Sequence, residues 1–155
     1  CGQQPDDASL RALMEPLGYQ STTIPAGSEA DAAWRGPGGL LLLGRGRFET
    51  WGPWAELGLA CAGTATEQLV GLGCPALSLP GQGPQFKRGF AERQSRLLGG
   101  AVQVCRTADA LATGVQLLLN EPHLREELGR IGRRRMGPAG GSLASAEEIQ
   151  RHLLP

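Results

Sequence analysis

The segment CAGTATE, residues 61–67, places small residues and one acid where a predicted buried strand gives way to a predicted helix. Gly63 lets the backbone come close to a bound group, and the free N–H groups of a helix N-terminus favour an anion, most often a phosphate. Glu67 lies in the first turn, where a carboxylate can accept hydrogen bonds from two adjacent hydroxyls such as those of a ribose. The segment therefore predicts a site for the diphosphate and the ribose of a nucleotide.

Thr64 and Glu67 also fit a purely structural interpretation. A threonine at the N-cap, followed three residues later by a glutamate, forms a capping box that satisfies the first amides of a helix without any ligand. Both interpretations stay open from the sequence.

A second polar segment, PGQGPQF at residues 80–86, follows the next predicted strand. Gln82 and Gln85 offer uncharged donors and acceptors, which suit the hydroxyls of a hexose. The alternative is an exposed polar loop. Because ligands of parallel α/β sheets bind at the carboxyl ends of the strands, we expect residues 61–67 and 80–86 to lie close together.

Apolar runs of strand length alternate with helix-type periodicity along the chain. We expect strands at residues 20–24, 39–43, 57–62, 75–79 and 101–105. We expect helices at residues 6–17, 48–54, 64–72, 84–98, 107–119, 121–135 and 145–154. The run GLLLL at 39–43 is typical of a parallel strand covered on both faces. This alternation predicts an α/β fold, a doubly wound and mainly parallel sheet with flanking helices.

The length of 155 residues predicts a single Rossmann-like domain over residues 1–155, with the helices of 121–155 packed as a C-terminal extension. The chain begins at Cys1 rather than Met, which predicts a fragment that lacks its first strand or two. With 15 basic and 15 acidic residues the formal net charge is zero, so we expect no nucleic-acid partner.

The cysteines show no spacing typical of a zinc site, so we expect no bound metal. Cys61, Cys74 and Cys105 lie in or beside apolar runs, where we expect buried, reduced thiols and hence a cytoplasmic protein.

The order of motifs resembles the C-terminal half of GT-B glycosyltransferases. GTATEQ at 63–68, the glycine, proline and glutamine loop at 80–86 and the helix FAERQSRLLG at 90–99 carry the likeness. It extends over residues 39–155 and includes GRRRMG at 132–137. The group it resembles most is that of the lipid-A-disaccharide-synthase-like proteins of cyanobacteria.

The resemblance implies a donor-binding domain for a UDP-sugar, which is a substrate and not a cofactor. It also implies that Gln82 and Gln85 face the donor sugar. The residues to which it assigns the diphosphate and the ribose are Gly63, Thr64, Ala65, Thr66 and Glu67.

By the same likeness, residues 44–48, with Phe48 at their end, lie near the uracil ring. Either Arg45 or Arg47 pairs with phosphate there, or both are solvated loop charges.

Glycosyltransferases of this type move a hexose or N-acetylhexosamine to an acceptor, of which a lipid at the inner membrane face is one candidate. The acceptor domain and the catalytic base lie upstream of the matching half, so the catalytic residues are unknown and we expect this chain to be inactive alone. An exposed sheet edge also predicts self-association. The alternatives are a UDP-sugar epimerase-like enzyme and a non-catalytic nucleotide-sugar-binding or structural module.

Overall fold

The computed structural model describes residues 6–81 and 86–153. Internal contacts group the chain into two compact units, Cys1–Gly52 (unit 1) and Pro53–Pro155 (unit 2). The single domain expected for residues 1–155 stays a prediction.

Unit 1 begins with helix α1, Asp7–Met14. Asp6 caps it, because its carboxylate accepts a hydrogen bond of 2.8 Å from the Ser9 amide. A 3-10 turn follows and ends at Gly18, whose positive φ of 80° a glycine adopts without steric cost. The predicted helix end at Gly18 is therefore confirmed.

An antiparallel sheet makes up the rest of unit 1, with strands β1 (Gln20–Ser21), β2 (Ala32–Gly36) and β3 (Gly39–Leu43) in that order. Gly36 pairs with Gly39, so β2 and β3 form a hairpin closed by two residues. The expectation of a doubly covered parallel strand at 39–43 is wrong, since Leu40 is 40% exposed and every partner of β3 is antiparallel. The expected strands do not include residues 32–36, which form β2.

After the hairpin, the short helix α2 covers Phe48–Trp51. The indole of Trp51 donates a hydrogen bond of 3.0 Å to the Ser28 carbonyl and lies on Gly44, where a Cβ would come within 2.4 Å of the ring. Trp34 is buried in the sheet. Trp51 thus joins the loop at Ser28 to Gly44, the residue that follows the hairpin.

Unit 2 contains a parallel sheet of three strands, β4 (Gly58–Leu59), β5 (Ala76–Ser78) and β6 (Val102–Val104), in the order β4-β5-β6. Its helices are α3 (Thr64–Gly71), α4 (Arg88–Leu97), α5 (Ala108–Asn120), α6 (Pro122–Met136) and α7 (Gly141–Leu153). The α/β class and the parallel pairing of these strands are confirmed, although the predicted sheet is larger and more uniformly parallel than the one observed.

Alternate residues of β5 serve the two faces of this sheet. Ala76 belongs to a buried cluster with Val70 of α3 and Leu98, which follows α4. Leu77 belongs to another cluster with Leu118 of α5. Helices therefore cover the central strand on both sides.

Two of the three cysteines expected to be buried are buried, namely Cys74 and Cys105. Burial raises the pKa of the Cys74 thiol to about 11, which keeps it protonated at neutral pH. Cys61 departs from the expectation: it is exposed, and its thiol donates to the Leu79 carbonyl at 3.2 Å. The strand predicted for residues 57–62 ends before Cys61, because β4 covers only Gly58–Leu59.

Candidate functional site

The candidate site begins where the chain leaves β4 and enters α3. Gly63 is the N-cap, with φ −85° and ψ −92°, and the helix starts at Thr64. The capping box is therefore wrong: Thr64 is the first helical residue, and no side chain caps the helix. Thr64 and Glu67 therefore do not form a reciprocal cap of this helix.

The amides of this turn divide into two groups. Those of Thr66 and Glu67 donate to the Gly63 carbonyl at 3.0 and 3.2 Å. Those of Thr64 and Ala65 find no acceptor within the described ranges, as is usual for the first residues of a helix. Two N–H groups thus remain at the positive end of the α3 dipole.

The hydroxyl of Thr66 does not face an open site. It donates to the Ala62 carbonyl at 2.7 Å, and the residue is 1% exposed. Of the residues predicted to hold the diphosphate, Thr66 has both its hydroxyl and its amide occupied by intrachain bonds, whereas Thr64 and Ala65 keep their amides unbonded.

Gln94 of α4 holds the carboxylate of Glu67 in place. The sequence interpretation did not identify Gln94 as a site residue. Its side-chain Nε2 donates to the Gly63 carbonyl at 3.1 Å and to Glu67 Oε1 at 3.3 Å. The residue is 4% exposed, and its Oε1 atom has no partner among the described residues. A signal existed: Gln94 shares the buried helix face of Ala91 and Leu98, where an uncharged polar residue is unusual.

Ser78 lies at the end of β5, on the same strand face as Ala76. It is fully buried and its hydroxyl is also unpaired in the described chain. Phe90 of α4 contacts Gly63, since a Cβ on Gly63 would lie 3.5 Å from Phe90 Cζ, and its ring meets Phe86 edge-on. Phe90 therefore lies beside the glycine that begins the turn, and Ser78 is a further buried polar side chain without a described partner.

Gln82 and Gln85, predicted to face the donor sugar, lie outside the described residues. The described chain stops at Gly81 and resumes at Phe86, and the Gly81 amide donates to the Phe86 carbonyl at 3.2 Å. The role of both glutamines stays a prediction.

Arg45 and Phe48 belong to unit 1, whereas residues 63–67 belong to unit 2. Arg45 Nη2 bonds Asp7 at 2.7 Å, and Asp31 lies 3.9 Å from Nη1. The hydrogen bond that Arg45 donates to the Asp7 carboxylate raises the pKa of the guanidinium above its usual range. A phosphate at Arg45 would have to compete with these two carboxylates.

Arg47 pairs with Glu29 at 3.5 Å. Phe48 opens α2 and is half-buried in unit 1. The ion pairs of Arg45 and Arg47 join residues of unit 1.

Unit 2 also contains an apolar cavity. A cavity of about 670 Å³ lies between β5, β6, α5 and α6, is mainly apolar, and is lined by no residue of α3. Over residues 6–81 and 86–153, acidic, histidine and cysteine side chains form no group that could hold a metal ion. In the same ranges, each helix is too short or too polar to cross a bilayer.

Comparisons of this chain with protein-family models, with curated proteins and with solved structures found no match. The resemblance to GT-B glycosyltransferases therefore rests on the sequence motifs of this chain alone.

Proposed function

We propose that unit 2 is the donor-binding part of a glycosyltransferase that moves a hexose or N-acetylhexosamine from a UDP-sugar to an acceptor. One observation carries this proposal. The first turn of α3 has both unbonded amides and Glu67, whose carboxylate is held by the buried amide of Gln94.

The diphosphate binds at the amides of Thr64 and Ala65, where the helix dipole favours negative charge. Gly63 carries no side chain that would block the approach. When the glycosidic bond to the donor phosphate breaks, these fixed N–H groups stabilise the departing diphosphate without reorganisation, so the mechanism needs no metal ion.

The ribose binds at Glu67. One carboxylate oxygen, Oε1, accepts from Gln94, while Oε2 has no bond to a described residue and is available to a ribose hydroxyl. A carboxylate held from one side needs little ordering when the ligand arrives, which reduces the entropic cost of binding.

The acceptor and the catalytic base belong to a second Rossmann-like domain of the same protein. A lipid at the inner face of the membrane is the acceptor class that the resemblance favours, and the protein acts in the cytoplasm.

The test is a calorimetric titration of the 155-residue chain with UDP, UDP-N-acetylglucosamine and ADP. We expect UDP to bind more tightly than ADP. Glu67→Gln should weaken UDP binding roughly tenfold or more, because a hydrogen bond to a charged group contributes about 1.5–3 kcal/mol. The substituted amide keeps an acceptor for Gln94, so the fold should be unaffected.

Glu126→Gln is the matched control, since Glu126 is an exposed acid of α6 with no ion pair to a described residue. It should leave UDP affinity unchanged. Equal affinity for UDP and ADP, or an equal loss in both variants, would sink the donor-site assignment.

A further inference from the structure

Another site lies at the carboxyl ends of β5 and β6. A cavity of about 260 Å³ opens there, beside the first residues of α4. Its lining residues are Pro80, Gly81, Lys87, Arg88, Val104, Cys105 and Arg106. A water molecule occupies about 30 Å³ of liquid, so the cavity has room for a small polyatomic group.

The charges of this cavity all have one sign. Lys87, Arg88 and Arg106 line it, and none of its lining residues is acidic. Arg88 is partly compensated, because its Nε donates to Glu92 at 2.6 Å. Lys87 and Arg106 make no ion pair with any residue that the structure describes.

The positive charges at this cavity also act on the nearby carboxyl of Glu92. The hydrogen bond from Arg88 lowers the pKa of the Glu92 carboxyl, and the positive charges of Arg96 and Arg106 lower it further. Glu92 compensates the charge of Arg88, whereas the positive charges of Lys87 and Arg106 at the cavity would be stabilised by a bound anion.

We propose that this cavity binds a phosphate group, held by Lys87, Arg88 and Arg106. Guanidinium groups match phosphate oxygens in a bidentate geometry, and lysine adds a mobile point charge. The site does not depend on the donor site at α3, since none of its lining residues lies in 61–67.

The test is an amide-resolved NMR titration of the full chain with inorganic phosphate, against sodium chloride at equal ionic strength. We expect phosphate to shift the amides of Gly81, Arg88 and Arg106 in a saturable way. Arg106→Gln should weaken phosphate binding roughly tenfold, as loss of a charge-assisted bond predicts. Lys87→Gln should weaken it as well.

The matched control is Arg93→Gln, because Arg93 is an exposed arginine of α4 that does not line the cavity. It should leave the phosphate affinity unchanged. Shifts no larger than those with chloride, or an equal loss in the Arg93 and Arg106 variants, would overturn the assignment.

A second arm uses UDP as the ligand and identifies the source of the phosphate. If UDP shifts the cavity amides with the same dependence on Arg106, the group that binds belongs to the nucleotide. If UDP shifts α3 amides alone while phosphate shifts the cavity, the site takes a separate phosphate. Failure of the donor site appears as absent UDP binding, and failure of this cavity as absent phosphate shifts.

Discussion

At the scale of the residue, Gln94 sets the geometry of the candidate site. Its orientation is fixed, because turning the amide would direct its oxygen at two acceptors, the Gly63 carbonyl and Glu67 Oε1. The same orientation leaves its own Oε1 without a described partner, at a cost of about 1–3 kcal/mol. The two bonds of Nε2 offset that cost by holding α4 against the start of α3.

Gln94→Glu should destabilise the protein in a pH-dependent way. The new carboxyl would be buried beside Glu67, so desolvation and like charge would raise its folded-state pKa above the value of about 4.3 in the unfolded chain. A raised carboxyl pKa means that stability is retained at low pH and is lost as the pH rises through the folded-state value. We expect a loss of about 2–4 kcal/mol at pH 7 and a much smaller loss at pH 4.

Urea unfolding at the two pH values measures this difference. Gln116→Glu is the control, because Gln116 is exposed on α5, and its effect should be small at both pH values. A Gln94→Glu loss that does not change between pH 4 and pH 7 would contradict the proposed contact with Glu67.

At the scale of the element, glycines let α6 lie against α3 and the turn that follows it. A Cβ on Gly129 would come within 2.2 Å of the Gly73 carbonyl oxygen, and one on Gly132 within 2.5 Å of Val70 Cγ1. Arg133 of α6 then donates two hydrogen bonds to the Leu72 carbonyl, at 2.8 and 3.1 Å. A cation thus satisfies the carbonyl end of α3, the end that the helix dipole makes negative.

Gly129→Ala should cost about 1–3 kcal/mol of stability, because backbone atoms must move apart to admit the methyl group. Gly89→Ala is the matched control, since a Cβ on Gly89 of α4 meets nothing within 4 Å and alanine favours the helix. Thermal unfolding of both variants measures the effect. Equal melting temperatures would show that α6 does not lie as close to Gly73 as described.

At the scale of the whole molecule, the C-terminal helix stands apart from the core of unit 2. Every residue from 141 to 152 in α7 is exposed, including Leu143 and Ile149. By contrast, α6 buries Gly129 and Gly132. The C-terminal extension predicted for 121–155 thus consists of one packed helix and one exposed helix.

Removal of residues 138–155 should therefore leave unit 2 folded and change its free energy of unfolding by no more than about 0.5 kcal/mol, as for other exposed positions. Removal of residues 122–155, which also deletes α6, should abolish cooperative unfolding because the surface of α3 is uncovered. Circular dichroism with thermal melting distinguishes the two truncations. A large loss in the shorter truncation would mean that α7 packs on the core.

Much of the architecture of unit 2 could be read from the sequence because its signals are local. The apolar periodicity of residues 107–119 and 121–135 predicted helices that the structure shows at Ala108–Asn120 and Pro122–Met136. The turn at Gly63 was placed correctly between a strand and a helix, although its capping was not. Alternating strands and helices indicated the parallel pairing of β4, β5 and β6.

The hairpin of unit 1 shows why other parts could not be read in this way. A run such as GLLLL pairs equally well in a parallel or an antiparallel sheet, and its composition does not specify the partner. The dipeptide Pro37-Gly38 between β2 and β3 was the available turn signal. Pairing with β2 leaves Leu40 exposed where the run had indicated a buried strand.

The helices of unit 2 and the glycine turn ahead of α3 are predictable from the sequence, because they depend on residues within a few positions of one another. The contacts between distant groups become visible only in the folded chain. Gln94 contacts Glu67 across 27 positions of the chain, and one cavity is lined by Lys87, which precedes α4, and by Arg106, which follows β6. Such contacts depend on how distant segments pack, and local periodicity does not specify that packing.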